Sequence, residues 1–271
     1  MNGASREALA AAHESLDALT DSTSADAAKL AGELAAVTAL LDREVSLRRV
    51  LTDPAQAGEA KAELAGRVLD GQIGGQAVDL VKGMVRARWS QSRDLVDALE
   101  ELAATAELTA AQKTGRLDNV EDELFRFGRI LATSTELRSA LTDRSASAAA
   151  KGELVGRLLG GKAEKATERL ITNLVTHPRG RSLEAGLDAL SKLAAARRDR
   201  MVAIVTSAVP LTEAQKTRLG AGLARLYGRE MHLNLEVDPE VLGGISVRVG
   251  DEVINGTVAD RIDEAKRRIA G

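Results

Sequence analysis

Leu47-Arg48-Arg49-Val50-Leu51-Thr52-Asp53 returns 90 residues later as Leu137-Arg138-Ser139-Ala140-Leu141-Thr142-Asp143. Lys61-Ala62-Glu63-Leu64-Ala65-Gly66-Arg67-Val68-Leu69 returns at the same offset as Lys151-Gly152-Glu153-Leu154-Val155-Gly156-Arg157-Leu158-Leu159. Laid over one another, Glu33 to Leu69 and Glu123 to Leu159 share 15 of 37 positions. A Leu- and Ala-rich chain would give roughly three by chance, so the chain contains an internal duplication. The match resumes as Asp97-Ala98-Leu99 against Asp188-Ala189-Leu190, after a slip of one residue.

Working outward, each copy reads as consecutive amphipathic helices, because apolar residues recur at steps of three and four and so share a face. In the first copy the stripes are Leu9, Ala12, Leu16 and Leu19, then Leu30, Leu34, Val37 and Leu41. Leu64 with Val68, Leu80 with Met84, and Leu95 with Leu99 and Leu102 mark three more. In the second copy, Leu117, Val120, Leu124, Phe127 and Leu131 open a series that closes on Leu183, Leu187 and Leu190. The last helix of copy one overlaps the first of copy two around Leu95 to Ala111, so the two bundles share or abut on one long helix. Asp53-Pro54 reads as a helix start, since Asp can cap free N–H groups and Pro lacks the donor that would go unpaired. Gly71, Gly74 and Gly75 punctuate the next connection.

Near Arg200 the apolar period changes from 3.6 to 2, which marks a domain boundary. Met201 to Val209 reads as a strand, ended by Pro210. Thr212 with Gln215 forms a capping box opening a helix that turns Leu219, Leu223 and Leu226 inward. Met231, Leu233, Leu235 and Val237 then alternate with His232, Asn234 and Glu236, as a strand with one buried face requires. Ile245, Val247 and Val249 do the same, and Gly250-Asp251 supplies a tight turn into Val253. Thr257 begins a last helix with the stripe Val258, Ile262, Ala265 and Ile269. The fold class is therefore mainly α, with two tandem duplicated helical bundles followed by a small α+β (βαββα) carboxy-terminal domain. The expected domains are 1–105, 106–199 and 200–271.

Composition narrows the function. Phe, Tyr and Trp total four, so the core is built from aliphatic side chains, as in helix-on-helix packing. A net charge of -3 gives no footprint for nucleic acid or a polybasic anchor. With no cysteine there are no disulfides, thiol nucleophiles or cysteine metal sites. No apolar run reaches about 18 residues, and the first residues lack a signal-length one, which predicts a chain that is neither secreted nor membrane-spanning. There is no phosphate loop and no Gly-x-Gly-x-x-Gly after a strand. His13, His177 and His232 lie far apart without a metal-binding spacing, so no metal or cofactor is expected. Adjacent carboxylates such as Glu100-Glu101 and Asp122-Glu123 point to different sides of a helix, which disfavours acid–base catalysis. The clusters Arg197-Arg198-Asp199-Arg200 and Lys266-Arg267-Arg268 complement helix C-termini, and Trp89, one turn beyond Val85 on its helix, reads as core or interhelix packing. The chain is expected not to be an enzyme.

Residues Ala208 to Ile269 closely resemble the delta subunit and oligomycin-sensitivity-conferring protein family of rotary ATP synthases. The resemblance is carried by Val209-Pro210-Leu211-Thr212, by Val237-Asp238-Pro239-Glu240-Val241-Leu242-Gly243-Gly244-Ile245, and by Gly250-Asp251-Glu252-Val253-Ile254-Asn255-Gly256-Thr257. Asn255 and Thr257 stand where the family usually has Asp and Ser. The second bundle, Glu107 to Asp199, looks like the family's helical domain, and residues 1 to about 105 are an added copy of the kind found in actinobacterial variants. The resemblance implies a structural signature at Pro210, Asp238, Pro239, Gly243, Gly244, Gly250, Asp251, Asn255, Gly256 and Thr257. It also implies a non-catalytic peripheral-stalk connector, gripping amino-terminal helices of α subunits with its helical part and the carboxy-terminal helix of the b subunit with its tail. Such a chain sits at the cytoplasmic face of the cell membrane, attached only through the complex, and binds no nucleic acid. The competing reading is a helical-repeat interaction scaffold unrelated to ATP synthase.

Overall fold

The structure is a computed structural model that describes residues 1–21, 25–199, 202–227, 231–238, 244–249 and 252–255. Contacts divide the chain into two compact units, Met1–Ala194 and Ala195–Gly271.

The first unit begins with α1 (Gly3–Asp21), α2 (Ala27–Arg43), α3 (Val45–Leu51), α4 (Gly58–Leu69), α5 (Gly75–Arg86) and α6 (Ser92–Lys113). It continues with α7 (Leu117–Thr133), α8 (Thr135–Thr142), α9 (Ala148–Leu159), α10 (Lys165–Thr176) and α11 (Leu183–Asp199). Helices α2, α4 and α5 start and stop 90 residues before α7, α9 and α10. The predicted slip also appears, since α11 starts 91 residues after α6. The added residue falls in the connection after α10, where Arg179 and Gly180 both take positive φ.

The duplication extends to single hydrogen bonds. Glu33 Oε1 accepts the Gly74 N–H that opens α5 at 2.8 Å, and Glu123 accepts the Glu164 N–H that opens α10 at 3.0 Å. Arg48 donates to Leu41 O, and Arg138 donates to Leu131 O. The hydroxyls of Thr52 and Thr142 donate to the carbonyls of Arg48 and Arg138. Gly71 and Gly161 end α4 and α9 at φ 71° and 69°, a left-handed turn for which glycine carries no Cβ penalty. Equivalent apolar stripes thus bring equivalent polar closures with them.

The stripes bury where the spacing places them: Leu16, Leu34, Val37, Leu41, Leu80, Met84 and Leu99 all lie in the core of the first copy. Helix α6 is different in kind. Leu95, Val96, Ala98, Leu99, Leu102, Ala106 and Leu108 are fully buried along it, with no broad polar face between them. A helix apolar on most sides must be covered on most sides. Helices α1 and α2 pack on it from one copy, α7 and α10 from the other. The overlap predicted near Leu95 to Ala111 is therefore one continuous helix, last of copy one and first of copy two. Two local readings change. Asp53-Pro54 opens a turn, with Asp53 Oδ1 accepting the Ala55 N–H, and α4 starts only at Gly58. Trp89 lies beyond the end of α5, buried, with its indole N–H on Met84 O at 2.8 Å, because the chain turns extended at Ala87.

The second unit holds β1 (Val202–Ser207), α12 (Glu213–Tyr227), β2 (His232–Val237), β3 (Ile245–Val249) and β4 (Glu252–Asn255). The sheet order is β2-β1-β3-β4. Strands β1 and β2 are parallel, which needs a crossover, and α12 provides it. Strand β3 runs antiparallel to both β1 and β4. The pairing of Val249 with Glu252 closes the predicted hairpin, whose returning arm is a strand in its own right. Ala203, Val205, Val247 and Val249 meet Leu223 of α12 in a small core, with Leu219, Leu233 and Leu235 packed beside it. Leu226, expected to turn inward with Leu219 and Leu223, is exposed instead at the end of α12, and Val237, expected on the buried face, is exposed at the end of β2. The capping box is present: Gln215 N–H donates to Thr212 Oγ1 at 3.3 Å, and Thr212 N–H donates to Gln215 Oε1 at 2.8 Å. The final helix expected from Thr257 onward lies outside the described residues.

Candidate functional site

The helical unit holds a cleft of about 880 Å³. One wall is a stripe of small side chains on α2, from Ala31 and Ala35 to Ala39. Opposite it are Leu170 and Leu174 of α10 with Leu190 and Leu193 of α11, while Ala103 and Ala104 of α6 form the floor. Helices bearing Ala on one side and Leu on the other leave a trough between their axes, the shape that accepts an amphipathic helix. Gly186 lets α11 close on α10, since a Cβ there would meet Leu174 Cδ1. The Leu30 to Leu41 stripe is legible as core from the sequence. The Ala stripe on the neighbouring face of α2 is not marked out as a wall there, though its i, i+4 spacing is visible.

Charges close the ends of this cleft. At one end the Arg179 side chain is 2% exposed, with Nη1 2.9 Å from Asp97 Oδ1 and Nη2 bonded to Glu100, both on α6. Arg181 also reaches Glu100, and Arg93 donates to Arg179 O at 2.9 Å. Burial pushes the Arg179 guanidinium below its ordinary value, against the pull of Asp97. Its Nε is buried without a hydrogen-bond partner among the described residues. This latch belongs to the connection that is one residue longer in copy two, and no sequence pattern pointed to it.

Toward the other end, Glu107 of α6 accepts from Arg169 of α10, the Nε bond being 2.9 Å. Burial raises the Glu107 carboxyl above its ordinary value, although Arg169 pulls the other way. A carboxyl held high in the folded chain takes up a proton on folding, so its contribution is greatest below the ordinary carboxylate value and is lost as pH rises into the raised one. Urea unfolding of the wild type and Glu107→Gln across about pH 4 to 7 checks this. The wild type should lose stability relative to the variant with rising pH, and parallel profiles would remove the raised value.

The signature residues of the carboxy-terminal unit separate into two sets. Pro210 follows β1, and Asp238 follows β2 with its N–H donating to Ser207 O at 3.0 Å, tying the two strand ends. Gly244 takes φ 86° just before β3, and Asn255 ends β4 opposite Ser246. Pro239, Gly243, Gly250, Asp251, Gly256 and Thr257 lie outside the described residues. The described four sit at strand ends and turns rather than converging on a cavity.

Other candidates take structural places. His13 Nε2 lies 3.0 Å from Glu101 Oε1 between α1 and α6, while Glu100 pairs with Arg179 and Arg181. His177 caps α10. Among the described residues no three His, Asp or Glu side chains come together as a metal site, and no helix is long and apolar enough to cross a membrane.

Comparison with known proteins gives the same placement. Residues 103–269 match the family described as ATP synthase delta (OSCP) subunit. The ATP synthase subunit delta of Streptomyces griseus is 76% identical over 271 residues, all of each chain. That of Streptomyces coelicolor is 76% identical over all of this chain and 98% of its own, and that of Thermobifida fusca 50% over all of both. These relatives extend through the first copy as well as the second. With its helical unit, its four-stranded carboxy-terminal sheet and this likeness along its whole length, the chain belongs to the ATP synthase delta (OSCP) subunit family.

Proposed function

We propose that the chain is the non-catalytic connector of the peripheral stalk in a rotary proton-translocating ATP synthase. Its helical unit holds amino-terminal helices of α subunits on the catalytic head, and its carboxy-terminal unit holds the end of the b subunit. It works as a brace: a head held against rotation lets the turning central stalk do work on the catalytic sites, so proton flow is coupled to ATP synthesis. It is peripheral at the cytoplasmic face of the membrane and reaches it only through its partners. Residues 1–105 and 106–199 act as the duplicated gripping bundles, and 200–271 as the stalk-binding domain. The signature from Pro210 to Thr257 shapes the turns of that domain.

The observation that carries this reading is the Ala- and Leu-walled cleft, whose α10 and α11 wall and Ala103–Ala104 floor lie within the family-matching residues while its α2 wall belongs to the first copy; a trough between helices is the shape that accepts a partner's amphipathic helix. For the stalk, Leu226 on α12 is 66% exposed, an apolar side chain available for a partner. The test is calorimetric titration of the full chain with two synthetic peptides, the α-subunit amino-terminal helix and the b-subunit carboxy-terminal helix. Both are expected to bind at once. Leu226→Glu should weaken the b peptide at least about tenfold, about 1.4 kcal/mol, and leave the α peptide unchanged. Competition between the two peptides, or a Leu226→Glu effect on the α peptide alone, would refute the division of labour.

A further inference from the structure

The first copy carries a groove of its own, about 290 Å³, between α1 and α5. On α5 it is lined by Leu80, Gly83 and Met84, and 90 residues on these become Leu170, Asn173 and Leu174 of α10, all three in the wall of the larger cleft. On α1 it is lined by Ala11, Ala12 and Ser15. Their counterparts 92 residues on are Ala103, Ala104 and Glu107 of α6, again in the cleft. The offset grows from 90 to 92 because the connection at 22–26 is two residues longer than that at 114–116. Core residues obey the same shift: Leu16 and Leu108 are both fully buried. The α1 and α5 faces of the first groove are thus repeated as the α6 and α10 faces of the cleft, which adds walls from α2 and α11.

Charge gives the occupant its character. In the first groove the sole charged lining residue is Asp79, and the exposed Glu7 and Glu14 flank it on α1 one turn either side of Ala11. In the cleft, Asp42, Asp97, Glu100, Glu101, Glu107 and Glu168 outnumber Arg93, Arg169, Arg179 and Arg181. Both linings are net negative over an apolar floor, which favours a helix with an apolar stripe and basic flanks.

We propose that the α1/α5 groove is a second seat, equivalent to the α6/α10 groove, and that both take the same class of segment, an amphipathic helix with basic flanks. This rests on the function proposed above, under which that segment is an α-subunit amino-terminal helix, so the chain holds two of them. The duplication then doubles the points at which the head is gripped.

The test titrates the full chain with the α-subunit amino-terminal peptide and reads stoichiometry. Two peptides per chain are expected. Gly83→Phe should reduce this to one, because a Cβ at Gly83 meets nothing within 4 Å and the ring fills the groove; it also removes a helix-weakening glycine, so the fold is kept. Asn173→Phe should likewise leave one, and the double variant none. A variant peptide with its basic residues changed to Gln should bind at least about tenfold more weakly at both seats. One peptide per chain, abolished by Asn173→Phe and untouched by Gly83→Phe, would overturn the second seat while leaving the proposed function standing. No peptide bound to the wild type would end both.

Discussion

Leu102→Ala is expected to destabilise the helical unit by about 2–5 kcal/mol, the range for removing a large buried aliphatic side chain and leaving a partly collapsed cavity. Leu102 is fully buried on α6 and belongs to the core of the first copy. The residues that follow it on the same helix, Ala103, Ala104 and Glu107, line the cleft shared with α10 and α11 of the second copy. A cavity here should therefore loosen both copies, whereas Leu158→Ala on α9, 37% exposed, should cost under about 1 kcal/mol. Urea unfolding gives the magnitudes, and amide exchange gives the reach. Protection should fall in α2 and α10 together. A loss confined to α1 through α5 would show that the copies unfold independently and that α6 does not unite them.

The Asp97→Asn/Glu100→Gln double variant is expected to cost about 3 kcal/mol, because it strands the buried Arg179 charge without a carboxylate. The loss sits toward the low end for a broken buried pair, since Asp97 is 41% exposed and water can partly replace it. Adding Arg179→Met to the double variant should recover most of the loss, as an apolar side chain of similar length needs no counter-charge. Thermal unfolding of the wild type, the double and the triple variants decides it. If the triple variant is no more stable than the double, Arg179 is held by packing and the carboxylates are incidental.

Much of this architecture is readable from one sequence because a duplicated chain states its pattern twice. Leu47 to Asp53 and Leu137 to Asp143 fix the 90-residue period, and the slip before Asp188 locates an added residue that the structure finds beside Arg179 and Gly180. Strict alternation along Leu233 and Leu235 gives the buried face of β2 before any pairing is known. What escaped depends on neighbours distant in sequence. Asp53-Pro54 is the exception, a local signal with two outcomes: the Asp carboxylate meets the Ala55 N–H in a turn, and the helix waits until Gly58. Trp89 sits outside α5 because the chain turns extended at Ala87, and its indole N–H reaches back to Met84 O, which no local periodicity reveals. The grooves are voids between helices, and a void leaves no residue pattern of its own; the small side chains of α2 that border it look like ordinary helix-forming alanine. Arg179 became part of the site only because the chain folds its connection back onto α6.

Helix α6 ends one copy and begins the next without a break. A gene segment spliced in so that its last helix merges with the first helix of the neighbouring bundle adds a whole bundle for 92 residues, the offset from the end of α1 at Asp21 to the end of α6 at Lys113, and five helices instead of six, with no linker to design and no new chain end to cap. The same join runs in reverse. Excising a stretch that begins at one position of α1 and ends just before its equivalent 92 residues later in α6 would restore an unbroken leading helix, so lineages can shorten or lengthen such a chain by whole bundles while every remaining helix keeps its neighbours.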